Sequence, residues 1–186
     1  MGSYFLLLGL AFLFVEMAFI QKFTLFLSHP LFSVAVVLSG FLVFAGLGSA
    51  YSNRLQNRSA VTMAAACIAG ITVIYVFLLP EVFRQLMGLA DAVKVLISFL
   101  LIAPLAFCMG MPFPLGLRRL ADTAPDFIPW AWGINGFASV VSAALATLLA
   151  IRFGFVVVMF VALLLYASAA AIMAGPQSRM TSSSTS

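Results

Sequence analysis

Charge is what this chain lacks most. Only 8% of its 186 residues are Asp, Glu, Lys or Arg, whereas soluble domains run near a quarter. Hydrophobic residues make up 65%. Too few polar groups remain to cover a water-facing surface, so the solvent for most of the chain is read as lipid. Histidine is nearly absent as well. The single His29 excludes a multi-histidine metal site. Cysteine is limited to Cys67 and Cys108. Both fall inside long apolar runs and neither belongs to a CxxC pair, which reads as small apolar packing residues. The nine Lys and Arg residues form no run longer than the pair Arg118-Arg119, so no nucleic-acid surface is expected. Gly46 and Gly48 lack the third glycine and the preceding strand of a dinucleotide fingerprint. No nucleophile–base pair, phosphate-binding loop or pair of carboxylates in a polar segment is found. The chain is therefore expected to have no cofactor, no metal and no catalysis of its own.

What the sequence has instead is a series of long apolar runs. They predict an all-α fold, a polytopic membrane bundle of about six transmembrane helices, over 4–20, 31–51, 60–79, 92–111, 128–150 and 153–174. Each run is long enough to cross the hydrocarbon core of a bilayer, and the strict alternation of a membrane barrel is missing. Residues 1–175 form one domain, and 176–186 read as a disordered, Ser- and Thr-rich tail. Glu16 lies inside the first run and no basic residue precedes it, so a retained helix is favoured over a cleaved leader. Pro80 is expected to stop the third span. Residues 81–90 are then a short connection, with Val82, Phe83, Leu86 and Met87 on one face that could lie along the interface. Pro104 should kink the fourth span. Pro112 and Pro114, two residues apart, predict a helix break that opens into a basic loop.

Six spans place Arg54, Arg58, Arg118, Arg119 and Arg179 on one side and Lys22, Arg84, Lys94 and Arg152 on the other. The paired arginines favour both termini on the cytoplasmic side.

Several residues could carry function. Glu16 is the one acidic residue well inside a span, where a charge costs a few kcal/mol. It is either a proton or cation site or a polar anchor between helices. Gly9, Phe12 and Ile20 share its stripe, which fits an inward face. His29 precedes Pro30 at the head of span two, as a titrating group or as a cap. Asn135 is the one amide inside a span. It shares a stripe with Trp132, Gly136, Ser139 and Ala143, expected to face other helices, and Ala138, Ser142, Ala146 and Ala150 form a second small row. Trp130 and Trp132 mark the interfacial end of span five. Arg118-Arg119 reads as a positive-inside anchor or as a contact for an anionic headgroup or acidic partner.

Three strings occur together in order: Phe14-Val15-Glu16-Met17-Ala18-Phe19-Ile20-Gln21-Lys22 through His29-Pro30, Gly110-Met111-Pro112-Phe113-Pro114-Leu115-Gly116, and Ile128-Pro129-Trp130-Ala131-Trp132-Gly133-Ile134-Asn135-Gly136. Across nearly the whole chain they resemble the membrane half of the fused spermidine synthase-like proteins. In those, a polyamine aminopropyltransferase-like domain is joined to a helical region distantly like half of a major-facilitator transporter. The family's catalytic domain has no counterpart in these residues, so aminopropyl transfer does not carry over. The resemblance marks Glu16, Gln21, His29, Pro30, Pro112, Pro114, Trp130, Trp132, Asn135 and Gly136 as candidates for whatever the membrane module does.

The sequence thus predicts a non-catalytic, multi-pass module of the bacterial inner membrane. Its expected partners are the lipid bilayer and other membrane subunits or a soluble partner domain. The alternative is a small transporter or half-transporter for a cationic or amphiphilic solute, with Glu16 as its binding or coupling carboxylate. That alternative calls for a polar cavity reaching Glu16 and Asn135.

Overall fold

Backbone amides with no water nearby must bond within their own segment, and apolar runs meet that demand as helices. In the computed structural model, residues 1–55 and 59–175 are described, and among them there is no strand. The predicted tail and the basic residues Arg58 and Arg179 lie outside the described residues. The helices are α1 (Gly2–Leu27), α2 (Pro30–Ser52), α3 (Ala60–Leu86), α4 (Asp91–Met109), α5 (Pro112–Thr123) and α6 (Ile128–Ala174), with a single 3-10 turn, Pro125–Phe127, before α6. Five segments are long and apolar enough to cross a membrane, the last two of them being Asp91–Thr123 and Pro125–Ala174.

Local chemistry sets the joints. Ser28 ends α1 in a left-handed conformation, with φ 61°. His29, held extended by the proline after it, leads into Pro30 at the first position of α2.

Two sequence expectations fail at prolines. Pro80 does not stop α3, which continues through it to Leu86. One lost donor is tolerated where the rest of the ladder has no aqueous alternative. Phe83 is accordingly buried, stacked 4.4 Å from Phe26 and edge-on 4.9 Å from Phe23, and does not lie along an interface. The Pro112–Pro114 pair does break the helix, but no basic loop follows. Both prolines occupy the first turn of α5, where amides have no helical partner, and Arg118 and Arg119 ride on that helix.

The 47-residue α6 is interrupted at Gly154, whose φ of 81° and ψ of 175° are not helical. Its first arm, 128–153, runs alongside α1: Asn135 bonds Phe5 and, seven residues on, Ser142 bonds Leu10. Its second arm, 155–174, runs the opposite way along α1. Phe155 lies 6.3 Å from Phe19, while Met173 meets Arg119 of α5, the helix that also holds Tyr4. Thus α1 is the central helix, packed by both arms.

The two ends of the bundle follow from the same contacts. One end gathers the start of α1, the end of α2, α5 and the end of α6. The other gathers Phe23, Phe26, Phe83 and Lys94, whose ammonium sits 5.9 Å from the Phe26 ring.

Small residues let backbones touch. A side chain on Gly48 of α2 would collide with the Phe107 carbonyl of α4, and one on Gly110 with the Ala45 carbonyl. A Cβ on Gly9 would stand 2.5 Å from the Asn135 carbonyl oxygen.

Candidate functional site

Three groups of polar side chains inside the bundle bear on the candidate residues; Ser33, Thr72, Lys94 and Ser98 are buried elsewhere in it. The first is the seam between α1 and the first arm of α6. Asn135 Nδ2 donates to the Phe5 carbonyl at 3.0 Å, and Ser142 Oγ donates to the Leu10 carbonyl at 2.7 Å. Helix carbonyls keep a lone pair after accepting their own helical bond, and in lipid a hydroxyl or amide finds few other acceptors. Gly9 sits between these two bonds, so the helices approach closely enough to make both.

The stripe that packs is the second row of the sequence reading. Ala138, Ser142, Ala146 and Ala150 are buried. The expected inward row is corrected in part: Asn135, Ser139 and Ala143 are half-buried, but Gly136 is exposed and a Cβ there would meet nothing within 4 Å. One helix cannot press both rows fully against α1: Asn135 of the first row and Ser142 of the second each reach an α1 carbonyl, and Gly136 turns away.

The second group lies at the α5 end. Tyr4 Oη donates to the Pro112 carbonyl at 2.6 Å. Arg118 donates to the Ser52 carbonyl and Arg119 to the Met173 carbonyl, the latter at 2.7 Å. Ser52 closes α2 and Met173 lies in the last turn of α6. Those turns carry the negative end of the helix dipole and carbonyls with lone pairs to spare, the Ser52 carbonyl also accepting from the Leu55 amide at 3.0 Å, and a guanidinium suits both. Consecutive residues on a helix point about 100° apart, so adjacent arginines reach two different helices. The pair is therefore a clamp across two helix ends. Pro112 is buried and Pro114 half-buried at the start of α5. Trp132 is edge-on to Phe113 at 4.7 Å, with both Trp130 and Trp132 otherwise exposed.

The third group is Glu16. Its residue is 7% exposed, near the middle of α1, roughly 21 Å from the helix start. The ion pairs among the described residues are Arg84–Glu81 and Lys94–Asp91, and the carboxylate hydrogen bonds there all fall on Glu81. Glu16 thus has no such partner among the described residues. Lys22 sits over the Phe155 ring, 5.6 Å from its centroid. On the second arm, Tyr166 is buried, 2% exposed.

The remaining candidates do not join these groups. His29, Pro30 and the half-buried Gln21 sit at the far end, with His29 Nδ1 2.8 Å from the Ser28 carbonyl. Asn135 and Glu16 do not meet either. Asn135 is level with Phe5, about 16 Å from Glu16 along the axis. A cavity of about 340 Å³ opens at the α5 end, lined by Phe5, Leu120, Thr123, Phe127, Trp130 and Ile134 among others. Neither Glu16 nor Asn135 lines it. Tyr4 and Tyr166 carried no sequence signal, because a tyrosine in an apolar run looks like any other core aromatic. Comparison with known proteins returns no matching family model, curated protein or solved structure.

Proposed function

We propose that this chain is a six-span, non-catalytic module that anchors or packs within a larger membrane assembly. The break at Gly154 turns the last helix back along α1, so it counts as two spans, and Met1 and Gly175, the first and last described residues, both fall at the α5 end. With Arg54, Arg118 and Arg119 at that end, it is assigned to the cytoplasmic side of a bacterial inner membrane. Packing within an assembly rests chiefly on one observation. The outer surface of α6's first arm carries Gly133 and Gly136 with nothing within 4 Å, flanked by exposed Trp132, Phe137 and Val140. Uncovered glycines at bilayer depth are the surface against which another transmembrane helix packs closely. The inner polar groups support the same reading, because Asn135, Ser142, Arg118 and Arg119 are committed to helix carbonyls and line no shared path. The likeness to spermidine synthase-like membrane proteins fits a module that works beside a soluble domain.

A second reading is favoured by Glu16, a buried carboxyl with no protein ion pair or hydrogen bond among the described residues. It is a transporter for a cationic or amphiphilic solute, with Glu16 binding or coupling. One pair of measurements separates the two. In mild detergent, the wild type should co-migrate with a second membrane chain, and Gly136→Leu should lose that chain while unfolding as before. In vesicles, neither wild type nor Glu16→Gln should carry proton or polyamine flux. A flux present in wild type and lost in Glu16→Gln, from protein that migrates alone, selects the transporter.

A further inference from the structure

Where the last turn of α5 meets the starts of α1 and α6, side chains enclose the cavity of about 340 Å³. Small residues account for it. Gly2, Ala124 and Ala131 stand on its wall, at positions where a leucine or phenylalanine would close the gap. The cavity has a floor and a mouth. Phe5 is fully buried and Ala131 is 3% exposed, whereas Phe127 and Trp130, 59% and 69% exposed, stand at the opening. None of the ten lining residues carries a charged side chain. The polar groups among these side chains are the Trp130 indole N–H and the Thr123 hydroxyl, which already donates to the Arg119 carbonyl at 2.9 Å.

We propose that this cavity is a binding site for a neutral, two-ring aromatic molecule. Its volume is about twice that of the ~150 Å³ apolar cavity that admits benzene. Phe5, Phe127 and Trp130 offer ring edges and faces to a further ring. A charged ligand would lose its hydration with no opposite charge on the wall. Asp122 and Asp126, exposed and each one residue outside the lining, repel an anion besides. Depth separates a ring system from a lipid tail. The lining reaches only to Phe5 and Ile134, about 5 Å into α1 and about 9 Å into α6 by the rise per residue. An acyl chain runs on toward the bilayer centre, whereas a compact ring system matches the depth at which the indole and phenol rings of membrane proteins collect. The depth argument rests on the membrane reading. The site itself suits an anchoring module and a transporter alike, because Glu16, Gly133 and Gly136 do not line it.

The test uses the full chain in mixed micelles. Azulene, a neutral two-ring hydrocarbon that absorbs where tryptophan emits, is titrated in, and quenching of Trp130 and Trp132 emission should saturate. Naphthalene should relieve the quenching, while decane and 2-naphthoate at the same micellar mole fraction should not. Ala131→Leu, which fills the floor, should weaken azulene binding several-fold. Ala144→Leu, on the exposed side of α6, should leave it unchanged. The competition series uses the wild type alone, so it decides the matter even where Ala131→Leu does not fold. Quenching that grows linearly with azulene, or that is equal in a folded Ala131→Leu chain, overturns the site. Relief by decane as strong as relief by naphthalene overturns the preference for rings, and relief by 2-naphthoate overturns the exclusion of charge.

Discussion

Replacing Gly154 with alanine isolates the backbone turn that folds the last helix back on itself. At φ 81° and ψ 175° this residue occupies a region that is essentially reserved for glycine. A Cβ added there meets nothing within 4 Å. The cost is therefore conformational, with no neighbour to clash. Holding a non-glycine residue in such a region costs about 1–3 kcal/mol. Alanine also restricts the unfolded chain, which offsets about 0.4–1 kcal/mol of that, leaving a net loss of about 1–2 kcal/mol. Gly136→Ala is the matched control. It too meets nothing within 4 Å, but it lies in regular helix, where alanine gains up to about 1 kcal/mol over glycine. The two variants should then differ by about 1–3 kcal/mol, with opposite signs. The measurement is reversible unfolding in mixed micelles, followed by the fluorescence of Trp130 and Trp132, the two tryptophans of the chain. Equal stability of the two variants, or a larger loss at Gly136, would refute the turn at Gly154 and with it the count of six spans.

Three further outcomes follow from the contacts. Gly48→Leu should destabilise the bundle by about 1–3 kcal/mol through overpacking, because its side chain meets the Phe107 carbonyl, whereas Gly46→Leu, with open space around it, should not; the same unfolding assay reads both. Ser142→Ala should lose about 0.6 kcal/mol, the typical worth of an interhelical hydrogen bond in a membrane protein, and a loss above about 2 kcal/mol would mean that the residue does more than bond Leu10. Arg119→Gln should loosen the end of α6, so proteolysis near Met173 should accelerate in Arg119→Gln, and unchanged cleavage there would contradict the clamp.

How much of this was legible in the sequence depended on which residues carry a signal of their own. Long apolar runs need only their length, so the helices at 31–51, 60–79 and 92–111 were located before any contact was known. Prolines misled where their effect depends on surroundings. Pro80 reads as a stop in water but is carried by a helix in an apolar setting, and Pro112 with Pro114 reads as a loop unless one asks whether the next residues start a helix. Asn135 was singled out as the one amide inside an apolar run, and the fold gives it the Phe5 carbonyl as partner, because its chemistry demands one wherever it lies. Which of two small rows faced α1 could not be decided that way, since Gly136 and Ala138 are equally small and only the partner carbonyls distinguish them. The turn at Gly154 falls just inside the run expected over 153–174, two residues past the gap at 151–152, because a glycine in an apolar run looks the same whether or not it holds a positive φ.

The clamp on α5 suggests why the paired arginines and the paired prolines belong together. The four first-turn amides of a helix lack intrahelical partners, and putting proline at two of those positions removes two of them outright. That lets α5 begin at once after α4, buried against Tyr4, whose hydroxyl takes the Pro112 carbonyl. A helix started there reaches Arg118 and Arg119 in its second turn, beside the ends of α2 and α6. Had Pro112 and Pro114 opened a flexible loop, each arginine would have been free to extend into the headgroup region, and two helix ends would have been left to water. The prolines therefore fix where α5 starts, the start fixes where the guanidiniums arrive, and the same pair of arginines satisfies helix carbonyls while keeping basic charge at the end assigned to the cytoplasm. Those two roles do not compete, because a guanidinium has five donors and each carbonyl takes only one or two of them. Donors remain for a phosphate or carboxylate from outside, but the rigid placement of α5, rather than a mobile basic loop, would decide where such a group could bind.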